Sequence, residues 1–164
     1  MGINLENALF LRNFLATNLK GEHAMTLALV EEFPSDLLEL RLADDLPTIA
    51  AEMHHAFTSG PWFLSVVRRG CAKWSENRIV AFHGDRKELL DACRCRAEET
   101  EELLRGFAPE ELVAEVEFND ERFPAVYMAD WHIVHLVHHR AKIVGGLIQH
   151  GFKGRSFYGP DAAS

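Results

Sequence analysis

An all-α fold, a four-helix bundle, is what this chain of 164 residues predicts. Three observations carry that expectation. Apolar residues recur at helical spacing along four long segments. The alternation that marks a half-buried strand is almost missing. Proline, aspartate and glycine stand where those segments should begin or end.

The first segment spans residues 7–32, with Leu9, Phe10, Phe14, Leu15, Leu19, Leu27 and Val30 as its apolar positions. Gly21 is a point where it should bend or break. Pro34 stops it, because proline disfavours helix at the residue before it. The second segment spans 47–69. Pro47 suits a first turn, where a missing N–H costs nothing, and Pro61 inside it predicts a kink or short break. Residues 70–84 read as a long polar connection. The third segment spans 85–107, with Asp85 as its N-cap and Glu98, Glu101 and Glu102 on a solvated face. Residues 108–120 read as a short helical turn and an extended link. The fourth segment spans 123–150 and stops at Gly151, a favourable C-cap. One domain over residues 1–164 is expected, with 155–164 as a loop tail.

Composition narrows the function. Hydrophobic residues make up 48% and net charge is −8, so the chain can build a core and has no basic block for a phosphate backbone. No nucleic-acid partner is expected. No apolar run approaches the roughly 20 residues of a membrane helix, and the first residues lack the pattern of a secretory signal. The expectation is a cytoplasmic protein without a membrane partner. Cys71, Cys93 and Cys95 do not form a disulfide-framework spacing.

The fourth segment holds the chemistry. His132, His135, His138 and His139 are four of the nine histidines, within eight positions. On a helix advancing about 100° per residue, His135 and His139 lie about 40° apart, one turn from each other. An i, i+4 pair lets two imidazoles converge on one divalent ion. The pair alone also fits a buried polar network. A third ligand should come from another helix, and the second segment offers His54 and His55. With that helix centred on Met53, His54 falls at about 100°, at the edge of its apolar stripe, and His55 at about 200°, on the far side. The geometry therefore favours His54, with His55 exposed or hydrogen-bonding behind the ligands. Glu52 is a candidate partner for the outer nitrogen of a ligand. Three protein ligands leave an ion with an open position, the mark of catalysis more than of structure. Trp131, His138 and Arg140 are candidates for a pocket wall or a supporting contact, with Arg140 more readily explained as a structural ion pair. His23, His83 and His150 read as surface residues.

These residues resemble the signature of the DinB family. "HLVHHRAK" (135–142) is similar to its H-x-x-x-H-R-G-Q pattern in His135, His139 and Arg140, and departs from it at Ala141 and Lys142. "HHAFTS" (54–59) resembles its H-x-A pattern, with Ala56 two residues after His54, which again favours His54. "LIQHG" (147–151) and "FYGP" (157–160) resemble its later motifs. The resemblance spans roughly residues 20 to 161. It implies an up-down-down-up bundle, a divalent ion on three histidines (nickel or zinc first, manganese or iron next) and homodimers. Some relatives are thiol transferases using bacillithiol or mycothiol. The function expected is thus a metal-dependent thiol S-transferase or hydrolase acting on a small molecule, such as a low-molecular-weight thiol. The rival is a non-catalytic bundle that binds metal or senses a small ligand.

Overall fold

The computed structural model of the chain describes residues 3–32 and 34–152. The tail, with the "FYGP" motif, lies outside the described residues. Four long helices dominate: α1 (Leu5–Glu32), α2 (Ile49–Arg69), α3 (Arg86–Gly106) and, after a short α4 (Pro109–Val113), α5 (Tyr127–Gln149). Their ends follow from local chemistry. Thr48 caps α2 by accepting the Ala51 N–H at 3.2 Å, and Gly70 closes it at φ 77°, a left-handed conformation that glycine adopts freely. Asp85 and Glu88 cap α3 reciprocally, each side chain accepting the other's backbone N–H at 2.8 Å. α2 continues through Pro61 and α1 through Gly21 without a break.

The helices pack as a ring in which α1 and α2 each lie between α3 and α5. Along the antiparallel α1–α3 seam, Glu31 pairs with Arg94 at 2.5 Å, His23 with Glu101 at 3.1 Å, and Arg12 donates to the Phe107 carbonyl at 2.8 Å. Along the antiparallel α2–α5 seam, Glu52 meets His139 near one end and Gly60 faces His132 further on. The interior divides into two apolar clusters. One gathers around Leu19, Phe63, Phe107 and Phe118, the other around Leu29, Met53, Phe57, Leu136 and Ile143.

The fold is mostly helical, as expected, and carries a small sheet beside the helices. A three-stranded sheet joins β1 (Cys71–Ala72), β2 (Glu115–Phe118) and β3 (Glu121–Pro124), in the order β1-β2-β3. β1 runs parallel to β2, with Cys71 opposite Glu117, and β2 pairs antiparallel with β3. The hairpin turn is Asn119-Asp120, both at positive φ (51° and 67°). Two such residues give the turn whose twist matches paired strands. Alternation along β2 sends Val116 and Phe118 inward and Glu115 and Glu117 outward. The expected loop at 70–84 and link at 108–120 thus meet as a sheet beside the helices. No described helix is long and apolar enough to cross a membrane.

Candidate metal centre

α5 presents His135 and His139 one turn apart, and the structure brings them together. Their Nε2 atoms are 3.1 Å apart. Two nitrogens bound to a tetrahedral ion at about 2.0–2.1 Å would stand about 3.3 Å apart. The third imidazole is His55, on α2. One ligand atom from each of His55, His135 and His139 lies within 4.8 Å of the others. The His55 ring meets those of His135 and His139 edge-on, at 5.1 and 5.0 Å between centroids.

His54, the residue favoured on the helical wheel, is not in this group. It is half-buried with its ring 5.0 Å from that of Phe82. The reason is the packing of α2. The wheel equated the Met53 direction with the site, but Met53 points into the apolar interior. α5 covers a different flank of α2, the one carrying Glu52 and His55. Most of the helix surface is buried, so no single stripe defines its inward side. Ser59, one turn after His55, lies 3.4 Å from its Nε2 and accepts from the Asn77 amide at 3.0 Å.

Behind the three imidazoles stands Glu52. Its Oε2 accepts from His139 Nδ1 at 2.5 Å, and Lys142 donates to its Oε1. Burial alone would raise the Glu52 pKa, but the hydrogen bonds from His139 and Lys142 outweigh it and hold the carboxylate at about 2. An ionised Glu52 can only accept, so His139 donates from Nδ1 and leaves Nε2 as the nitrogen that faces His135. Desolvation, aided by neighbouring imidazoles, lowers His135 to about 3 and His55 to about 4. These two rings are neutral at physiological pH, the form that binds a metal. Chemically the donor set fits a divalent transition metal: imidazoles converge from two helices, one with a carboxylate on its outer nitrogen.

The other candidates are distributed around this centre. His138 is exposed, with its ring 5.4 Å from that of His139. Trp131, Trp74, Val134, His135 and His138 line a cleft of about 320 Å³ that opens beside the histidines. Trp74 stacks on His135 at 5.8 Å between centroids. Nothing in the sequence around Trp74 signalled this, because its position depends on the sheet. Arg140 turns away to α1, where it pairs with Glu22 at 2.6 Å and donates to Thr26 Oγ1 at 3.0 Å. His23, expected on the surface, is buried against Phe57 and His132.

The chain is thus a mostly helical protein in which a cluster of three histidines between two long helices could hold a metal ion. The profile of the DinB superfamily matches residues 18–143, and the chain belongs to that superfamily. Two solved structures share the fold. A DinB-like protein of Bacillus subtilis is 19% identical, with a TM-score of 0.70 over 88% of this chain and 96% of that one. A DinB-like protein of Bacillus cereus is 20% identical, with a TM-score of 0.65 over 80% of this chain and 87% of that one. No curated protein matches the chain.

Proposed function

We propose that this chain is a divalent-metal-dependent enzyme whose ion is held by His55, His135 and His139. The observation that carries the proposal is the convergence of His135 and His139 Nε2 to 3.1 Å, with the Glu52 carboxylate on the outer nitrogen of His139. The antiparallel α1–α3 and α2–α5 seams support an up-down-down-up four-helix bundle as its frame. Nickel and zinc are the ions proposed first, since both suit imidazole donors. Manganese and iron come next.

Thiol S-transfer or hydrolysis is the chemistry proposed. A bound ion would act as a Lewis acid, lowering the pKa of a thiol or of water. The chain's own groups do the rest. His55, His135 and His139 hold position as ligands and do not shuttle protons. Glu52 fixes which nitrogen of His139 faces the centre. Trp74 and Trp131 shelter one side from water and leave a cleft through which a small substrate reaches His135. Among the described residues three histidines converge without a fourth protein ligand, which leaves a position open for that substrate.

Metal analysis of protein purified without chelator tests the proposal. About one divalent ion per chain is expected, and loss of it in His135→Ala. The metal-loaded protein is then screened with low-molecular-weight thiols plus electrophiles, and with esters and amides. A chain that takes up none of the four metals ends the metal reading. A loaded wild type no faster than its metal-free form on every substrate ends the transferase and hydrolase reading.

A further inference from the structure

We propose that the cleft beside His135 binds an uncharged aromatic group, in a slot whose walls are held by the small sheet. The proposal deepens the metal-enzyme reading, since a ring seated there lies against a proposed ligand.

The walls are two indoles, and both are fixed from behind. Phe118, the last residue of β2, packs edge-on to Trp131 at 4.8 Å and to Trp74 at 5.2 Å. Phe123 of β3 packs on Trp131 at 4.8 Å, and Phe63 of α2 on Trp74 at 5.4 Å. The hairpin therefore sets the gap between the indoles before any ligand arrives. A slot already rigid loses little side-chain freedom on binding. Indole faces and edges favour another aromatic ring, offset or edge-on.

The lining also says what does not fit. Among the described residues, no Asp, Glu, Lys or Arg lines the cleft. In the metal-free protein a carboxylate or ammonium group entering it would shed water without gaining a counter-charge. Indole faces attract cations, but that attraction is smaller than the cost of stripping an ammonium group of its water. An uncharged ring avoids that cost. The space, about 320 Å³, exceeds the roughly 150 Å³ cavity that takes up benzene, so one substituted ring or two fused rings fit. Val134, 60% exposed, forms the open rim.

The test uses the full chain labelled with ¹⁵N, whose three tryptophans give three indole N–H signals. Metal-free protein at neutral pH is titrated with benzyl alcohol, benzylammonium and phenylacetate, and zinc binding is measured separately on the same preparation. Benzyl alcohol is expected to shift the Trp74 and Trp131 signals and to bind roughly tenfold tighter than either charged analogue. Val134→Glu should weaken it by roughly tenfold, whereas Val134→Leu should keep it within about a factor of two. Equal binding of all three, tightest binding of benzylammonium, or no movement of the two signals overturns the proposal. So does a wild type that is a dimer closed over the cleft, excluding benzyl alcohol and separating in Val134→Glu. Zinc binding without benzyl alcohol binding sinks this inference alone, and the reverse result sinks the metal reading alone.

Discussion

Glu52 on α2 accepts a hydrogen bond from His139 on α5 at 2.5 Å, across a separation of 87 residues. Both side chains are buried. Such a contact orients the imidazole and increases its basicity as a ligand. Replacing Glu52 by Ala should weaken zinc or nickel binding by about 10–100-fold. Gln at this position keeps an oxygen acceptor without the charge, so its loss should be smaller. Competition titration against a chromophoric chelator measures both. Unchanged affinity in Glu52→Ala would remove the carboxylate from the metal centre.

His55 and His54 are adjacent, yet the structure gives them different surroundings. His55 faces His135 and His139, and His54 faces Phe82. Replacing His55 by Ala should reduce bound metal from about one per chain to a small fraction, since two imidazoles hold an ion far less tightly than three. His54→Ala should keep nearly full occupancy. Elemental analysis of the two purified variants decides it, and the opposite ranking would restore His54 as the ligand.

The sequence made one half of this centre legible and hid the other. His135 and His139 follow from spacing alone, because i and i+4 share a face on any helix. Choosing between His54 and His55 required knowing which flank of α2 meets α5, and a helix buried around most of its surface does not announce that. The sheet was hidden for a related reason. "EVEF" does alternate and Asn119-Asp120 does favour a turn, but four residues per strand give a weak signal beside long helical periods. Without the sheet, Trp74 reads as a residue in a polar loop. His23 was misjudged because its partner, Glu101, looked like part of a solvated face on another helix.

Glycine has opposite roles at two helical positions. A Cβ on Gly60 would press into the Thr100 side chain and lie 2.8 Å from His132 Nε2. Thr100 cannot easily yield, because it is buried and its hydroxyl donates to the Arg96 carbonyl at 2.6 Å. The helix-propensity gain of about 1 kcal/mol is outweighed by an overpacking cost of about 1–3 kcal/mol. Gly60→Ala should therefore destabilise. At Gly21, no atom of the described residues lies within 4 Å of an added Cβ. Gly21→Ala should stabilise by about 0.5–1 kcal/mol. Urea denaturation of the two variants reads the contrast directly, and a stabilised Gly60→Ala would show that the α2–α3 seam is looser than described.

His132 and His23 make stability depend on pH even without metal. His132 is completely buried, and desolvation, then the fields of His23 and His135, push its pKa well below the ordinary 6.5. Burial also lowers His23, although its contact with Glu101 opposes the shift. Both rings are thus less readily protonated in the folded chain than in the unfolded one. Above pH 6.5 neither state takes up the proton, and the full stability is present. As pH falls below 6.5 the unfolded chain gains protons that the folded chain resists, so stability declines. His55 and His135, also lowered by burial, act in the same direction, so thermal melts of metal-free protein at pH 7.5 and pH 5.5 should differ by at least about 5 °C, with the lower value at the acidic pH. His132→Phe removes the ionisable ring while keeping an aromatic one in the same apolar surroundings. Its melting point should fall less between the two pH values than that of the wild type. An equal fall in both proteins would place the acid sensitivity elsewhere than in this interior histidine.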